Sequence, residues 1–338
     1  MNIQQPYSTQ NLTNTQPPLT PEEQQMLSGD PVPESAESPL SVVIAATKPP
    51  AELAHLTKPD PSRFKPEEFP SSGRYTDCAV MVLAPNAGPM SHTGTNTWIL
   101  ADPEEETCVI VDPGPNDQAH FTNLVQCCLS MGTTPVAILL THTHFDHSEG
   151  AEPLALQLGV PIYARAAGNL PAGPLEIPYL DLDLEIVDLP GHSADCVGIL
   201  IPQDKALITG DVIFAWGSTV IAADGGSLGD FLDSLDVLED LVNKGAVEKL
   251  LVGHGHCIGD PLTYIHKYRS HRLERLALIQ DALEHLGISD LNAAYEDPQT
   301  IDDIYRQVYQ DTSPDLEAPA KQNILVQLQY LRTQNQKE

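Results

Sequence analysis

Residues 136–147 read VAILLTHTHFDH, five apolar positions from Val136 to Leu140 followed by Thr141-His142-Thr143-His144-Phe145-Asp146-His147. The apolar run has the length and composition of a buried strand, and three histidines and one aspartate follow it within six positions. Neutral imidazole and carboxylate are the donors that Zn²⁺ and the neighbouring first-row ions take. On an extended backbone His142 and His144, two residues apart, point the same way, while Asp146 and His147 fall where the chain turns toward the next helix. Four titratable groups in one loop are costly to bury unless a cation holds them, which argues against ordinary core histidines. Two ligand pairs from one short loop suggest two metals.

A site of this kind needs further ligands, and three later positions repeat the same context. His192 lies in LPGHSAD after the apolar run 184–189, Asp211 in ALITGDV after 206–209, and His254 in LLVGHGH after 250–252. Each run ends in a glycine beside the proposed ligand, so each ligand is expected at a strand terminus. His256, two positions beyond His254, is read as a non-ligand. Asn96 and Ser218 are candidates for lining or bracing the cleft, although both types are more often turn or capping residues. His92 is left without a role.

In this order, His142, His144, Asp146, His147, His192, Asp211 and His254 resemble the ligand set of the metallo-beta-lactamase superfamily, whose H-x-H-x-D-H motif they reproduce. The segments GPMSHTGTNTWIL (88–100), VIVDPGP (109–115), AWGSTV (215–220) and YIHKYRSHRLERL (264–276) are similar, more narrowly, to the beta-lactamase-like protein 2 and glyoxalase II-like group. The likeness spans about residues 76–334. It implies an α/β fold, a four-layer αββα sandwich with the metals at one edge, and a small C-terminal winged-helix-like domain. It also implies that His142, His144 and His192 hold one ion, that Asp146, His147 and His254 hold the other, and that Asp211 bridges. Asp146 has a suggested second, catalytic role as proton acceptor. Two Zn²⁺ per chain are expected, with Fe or Mn also compatible with seven N/O donors and no thiolate.

The residue pattern agrees with this architecture. Strand-like runs at 78–83, 97–100, 108–111 and 136–140 alternate with helical stretches at 118–131 and 149–158. A second set follows at 185–189, 197–201 and 206–209, then a helix over 228–242 and a strand at 250–252. Phe231, Leu235, Leu238 and Leu241 share one face of that helix, and a carboxylate-capped start is expected at Asp230. Beyond residue 261 the pattern turns helical. A long amphipathic helix over 263–286 is expected, with Ile265, Leu273, Leu276, Ile279 and Leu283 on its apolar face and a left-handed cap at Gly287. Two more helices follow, 301–309 with a capping-box-like TIDD at 300–303, and 318–332. The domain reading is a leader (1–72), a catalytic domain (73–261) and a helical domain (262–338) without the wing hairpin.

The leader holds thirteen of the chain's thirty prolines and lacks sustained periodicity. It reads as largely disordered, with 41–46 its one patch suited to order. With no signal-like start and no run near about 18 apolar residues, membrane spanning and secretion are disfavoured and the cytoplasm is the expected location. The six cysteines lack paired spacing and read as buried, reduced thiols.

Charge bears on the substrate. Residues 76–262 carry 26 acidic and four basic side chains, a formal −22 within a chain of net −30. Such a field repels polyanions, and nucleic-acid affinity depends on Lys and Arg, so nucleic acid is a disfavoured partner. One basic stretch exists, Lys267, Arg269, Arg272 and Arg275 with His266 and His271, and it reads as a solvated helix face pairing with the acidic domain. The expected function is a dinuclear metal-dependent hydrolase that uses a metal-bridging hydroxide on a small ester, thioester or lactone. The resemblance also admits an endoribonuclease acting on single-stranded RNA. A non-catalytic binding protein on the same fold is the third reading, weakened by the complete ligand set.

Overall fold

The computed structural model describes residues 72–336 except 216, 222 and 311–315. The expectations for the leader, including the patch at 41–46, lie outside the described residues, apart from Ser72. All the described residues belong to one compact unit.

Two mixed sheets form the centre. The first has six strands in sequential order: β1 (Gly73–Arg74), β2 (Ala79–Leu83), β3 (Asn96–Leu100), β4 (Thr107–Val111), β5 (Thr134–Leu139) and β6 (Ile162–Tyr163). The second has β7 (Gly173–Leu175), β8 (Leu184–Asp188), β9 (Val197–Ile201), β10 (Ala206–Gly210) and β11 (Lys249–Val252), also in sequential order. Strand β5 runs parallel to both β4 and β6, and β10 runs parallel to β11, while the other pairs are antiparallel. The parallel pairs are the ones linked through helices, as crossover geometry requires.

Alternation along each strand builds the layers. Val109 and Val111 of β4 face the second sheet and meet Ile199, Ile201 and Ile208 across an apolar interlayer that also buries Trp98. Cys108 and Ile110 point the opposite way, onto Phe121, Leu124 and Cys128 of α1 (Gln118–Ser130) and Leu154 of α3 (Ala151–Leu158). The single turn α2 (Phe145–Ser148) lies between those helices in the chain. On the far side, Leu200, Leu207 and Leu250 pack against Phe231, Leu235 and Leu238 of α4 (Leu228–Asn243). Helix, sheet, sheet and helix make the expected four-layer αββα sandwich, because both faces of both sheets are apolar and each needs a cover.

The C-terminal region contains α5 (Pro261–His285), α6 (Leu291–Glu296), α7 (Pro298–Val308) and α8 (Glu317–Asn335), with no strand among its described residues. Its buried Ile265, Ile279, Ile304, Ile324 and Leu328 join the core that covers the second sheet. Gly287 takes the left-handed conformation expected of it, with φ +69°. All six cysteines are unpaired, and no described helix is long and apolar enough to cross a membrane.

Four expectations are corrected. Leu273 is 48% exposed, and Tyr268 and Arg272 occupy the buried face of α5 instead, because the spacing 265, 268, 272, 276, 279 follows the 3.6-residue turn and 273 does not. Arg272 is therefore buried rather than solvated; Arg269 and His266 do pair with the acidic helix α4, through Asp236 and Glu239. The cap of α7 is Asp297, which accepts from the backbone of Gln299 and Thr300, so the cap lies three residues before the TIDD motif. Helix α4 is likewise capped by Ser227, whose hydroxyl accepts from the Asp230 backbone N–H.

Candidate metal centre

Strand β5 delivers the THTHFDH segment to the rim of the sandwich, where a sharp turn starts α2. His144 opens that turn, with its carbonyl accepting from the backbone N–H groups of His147 and Ser148. The turn is tied to the loop after β8, since Asp195 Oδ2 accepts from Thr143 N at 2.9 Å and Thr143 Oγ1 at 2.7 Å. That loop carries His192. Strands β10 and β11 end side by side at the same rim and present Asp211 and His254.

Two glycines at these strand ends allow the close approach. A Cβ on Gly210, at φ +49°, would lie 2.5 Å from Thr141 Oγ1. On Gly253 it would lie 2.5 Å from Asp211 Oδ1 and 2.9 Å from His147 Cε1, inside the site itself. Asn96 then braces the last ligand: its Nδ2 donates to the carbonyls of Val252 and Gly255, both at 2.9 Å, on either side of His254. Among the described residues no hydrogen bond joins Ser218 to the site.

The structure brings the seven predicted ligands into two adjoining groups. One contains His142, His144 and His192, the other Asp146, His147, Asp211 and His254, with the donor atoms of each group within 4.8 Å of one another. His192 Nε2 lies 2.7 Å from His144 Nδ1, and His147 Nε2 lies 3.2 Å from His254 Nε2. Asp211 faces both groups. Its Oδ1 is 3.1 Å from His147 Nε2, and its Oδ2 is 3.4 Å from His254 Nε2 and 3.8 Å from His192 Nε2. Asp146 Oδ2 is 3.2 Å from His254 Nε2. Two donors on one tetrahedral Zn²⁺ sit about 3.3 Å apart, so these separations suit ligands converging on shared cations. His256 belongs to neither group.

The groups behind the ring nitrogens orient these rings. His192 Nδ1 is 2.6 Å from the Val220 carbonyl, and His254 Nδ1 is 3.1 Å from that of Gly94. Each carbonyl can only accept, so Nδ1 carries the proton and Nε2 presents its lone pair inward. Asp112 does the same for His147, with Oδ2 at 2.9 Å from Nδ1, and it also accepts from Thr141 N and Oγ1 at 2.8 and 2.6 Å. Asp112, Asp195 and Val220 were not singled out from sequence as partners of the ligands. The signal for Asp112 is its place directly after an apolar strand, ahead of the turn residues Pro113 and Gly114.

Fit to a cation rests on the donors left over. His142 Nε2 is buried with no hydrogen-bond partner, and Asp211 Oδ1 has His147 Nε2 beside it at 3.1 Å; both belong to the converging set. Such groups are costly to bury unpaired, and a cation satisfies them together. Electrostatics agree. Burial pulls the His142 imidazolium well below its usual range, aided by His147 and His144, and burial with His144 pushes His192 down to about 4. Burial also opposes charge on His254, yet Asp211 and Asp146 outweigh it and raise the ring to about 9. His147 is held well above its usual value against the same burial cost, by Asp211, Asp146 and Asp112. The carboxyls of Asp146 and Asp211 stay below the usual range despite burial, held there by those two imidazoles.

Protons thus occupy, in the metal-free protein, positions that a cation would take. Below pH about 9 a cation bound through His254 Nε2 must displace a proton. We expect Zn²⁺ uptake by chelator-treated protein to release protons at pH 7, and apparent affinity to fall about tenfold per pH unit per proton as pH drops from 9 to 7. An indicator in weak buffer reads the release. Uptake without proton release, at an affinity independent of pH, would contradict this protonation pattern.

Comparisons with known proteins agree with this geometry. A profile described as "Metallo-beta-lactamase superfamily" matches residues 91–177, which contain the THTHFDH segment. The chain is 26% identical over 273 residues to the "Beta-lactamase-like protein 2 homolog" of Caenorhabditis elegans, covering 76% of this chain and 85% of that one. It is 26% identical over 277 residues to the "Atrochrysone carboxyl ACP thioesterase" of Aspergillus chevalieri, covering 79% and 85%. The crystal structure of a beta-lactamase domain protein from Burkholderia ambifaria superposes with a TM-score of 0.60 at 19% identity, covering 85% of this chain and 94% of that one, a likeness of fold. With the four-layer sandwich and the His/Asp clusters at its rim, these matches assign the chain to the metallo-beta-lactamase superfamily of metal-dependent hydrolases.

Proposed function

We propose that this protein hydrolyses a small ester, thioester or lactone with two divalent cations, Zn²⁺ foremost, and that a thioester is the first substrate to try. The observation that carries the reading is Asp211, a single carboxylate with one oxygen beside His147 and the other beside His254 and His192, at the junction of two donor groups. When bound, two such cations supply a nucleophilic water at neutral pH and an electrophilic anchor for a carbonyl oxygen. His192 and His254, held by backbone carbonyls, keep their lone pairs directed inward, and Asp112 holds His147 in the same sense. Asp146 is half-buried, at the open side of the site with His144, where its ionised carboxylate can accept a hydrogen bond from a water and orient it.

The substrate class has two supports. The Aspergillus chevalieri relative is named as a thioesterase and aligns over most of both chains. The acidic catalytic region disfavours a polynucleotide, and the cations of α5 are largely engaged: Arg269 with Asp236 and Glu239, Arg272 inside the core, and Arg275 with the Val308 carbonyl. Metal-loaded protein should therefore hydrolyse acyl thioesters, lose that activity with chelator and in His144→Ala, and leave unstructured RNA intact. RNA cleavage with the same chelator and His144→Ala dependence, and no thioester turnover, would overturn the substrate assignment. Blank panels of both kinds would favour the binding-protein reading.

A further inference from the structure

Arg272 is a buried guanidinium with no carboxylate partner among the described residues. It is 5% exposed, lies over the Phe231 ring at 5.0 Å, and leaves its Nε without a hydrogen-bond partner. A buried cation so incompletely matched is costly, and a Met or Leu of similar volume would normally serve packing better. What it does contact is specific. Its Nη2 donates to the Thr219 carbonyl and its Nη1 to Asn323 Oδ1 at 3.4 Å.

Those partners belong to one loop and the helix that grips it. The chain between Asp211 and α4 is fastened to the C-terminal helices at four points. Tyr268 Oη accepts from Phe214 N at 2.7 Å, Arg272 holds the Thr219 carbonyl, Asn323 Oδ1 accepts from Ile221 N at 3.3 Å, and Gln322 Oε1 accepts from Ala223 N at 3.1 Å. On its other side the same loop meets a proposed metal ligand. The Val220 carbonyl is 2.6 Å from His192 Nδ1, and Thr219 Oγ1 is 3.2 Å from it. Arg272 thus acts one peptide away from the group that fixes the tautomer and direction of His192. It touches neither substrate nor cation.

We infer that Arg272, with Asn323, is a positioning residue of the three-histidine half of the centre: the C-terminal helical region holds residues 219–221 so that His192 would present Nε2 to a bound cation. This gives the helical region a function in the hydrolase, which wrapping the second sheet alone would not require. The inference rests on the metal centre described above. The second group of donors is oriented by Asp112, Gly94 and Asn96 and meets this stretch of chain at Phe214, whose ring packs edge-on against His254 at 5.4 Å, whereas Arg272 and Asn323 grip Thr219 and Ile221 beside the Val220 carbonyl and so act first on His192.

The test is Co²⁺ titration of chelator-treated full-length protein, followed by visible absorption and calorimetry, in the wild type and in Arg272→Met, Asn323→Ala and Arg269→Ala. Arg269 is the control, because it lies on the same helix and pairs with α4 without reaching the loop. Arg272→Met should weaken the three-histidine site roughly tenfold and alter its absorption, as loss of a supporting contact behind a histidine ligand does. Asn323→Ala should shift the same site in the same direction and Arg269→Ala should not. In a His144→Ala background, where only the Asp146, His147, Asp211 and His254 group remains intact, Arg272→Met should change nothing. If Arg272→Met does not fold, Asn323→Ala and its His144→Ala combination decide the question. Equal weakening of both sites, an equal effect of Arg269→Ala, or wild-type isotherms in Arg272→Met and Asn323→Ala would overturn the inference. A wild type that takes up no Co²⁺ would instead overturn the metal centre on which it rests.

Discussion

Asp211→Ala is expected to fold, to retain at most one metal ion per chain, and to lose hydrolytic activity by about a hundredfold to a thousandfold. The magnitude follows from removing several kcal/mol of transition-state stabilisation, at about 1.4 kcal/mol per factor of ten. The geometry makes this position different from the other ligands. Each histidine belongs to one group, whereas Asp211 has Oδ1 beside His147 and Oδ2 beside both His254 of its own group and His192 of the other. The substitution also leaves His147 and His254 without their main counter-charge, so the protons they hold in the metal-free protein come off at lower pH. Asp211→Asn preserves the shape and removes the charge, and it should share most of the loss. Metal analysis beside turnover on a thioester reads both effects. A variant that keeps two ions and wild-type turnover would show that Asp211 does not join the two halves.

Asp112→Ala carries the second large effect, and it acts without touching the cations. The buried carboxylate accepts from Thr141 N, Thr141 Oγ1 and His147 Nδ1. Truncation leaves all three donors buried without that acceptor, a destabilisation of roughly 2–4 kcal/mol on the metal-free protein. It also frees the His147 ring to turn, and loss of such an orienting partner lowers metal affinity by about 10- to 100-fold. The two consequences separate in Asp112→Asn. Asparagine tolerates the φ of +50° at this position and fills the space, but its single amide oxygen cannot replace two carboxylate oxygens. Asp112→Asn should therefore recover much of the stability, read by denaturant unfolding, and less of the affinity. Wild-type affinity in Asp112→Ala would remove Asp112 from any role in the site.

The seven converging side chains were legible in the sequence because each carries its own local context: an apolar strand, a turn, then the donor. His142 to His147 share one loop, and His192, Asp211 and His254 repeat the pattern at later strand ends. The supporting groups were harder to read. Asp112 reaches Thr141 and His147 across parallel strands, Asp195 reaches Thr143 from another sheet, and the Val220 carbonyl has no side chain to flag it. Such pairings arise from tertiary structure and leave no periodic trace. Short elements were missed for a related reason, since β1, β6, β7 and α6 span two to six residues, too few for a period to emerge. The basic stretch on α5 read as one solvated face, yet its cations diverge around the helix: Arg269 pairs at the surface while Arg272, three positions on, enters the core.

On the proposed reading, seven side chains from one rim of the sandwich form a two-cation hydrolytic centre. The most direct measurement is the metal content of the metal-loaded wild type beside Asp211→Ala, taken together with turnover. The account predicts two ions per wild-type chain, at most one in the variant, and hydrolysis that disappears with the second ion. Less than about one ion per wild-type chain, or hydrolysis that survives complete removal of metal, would contradict it.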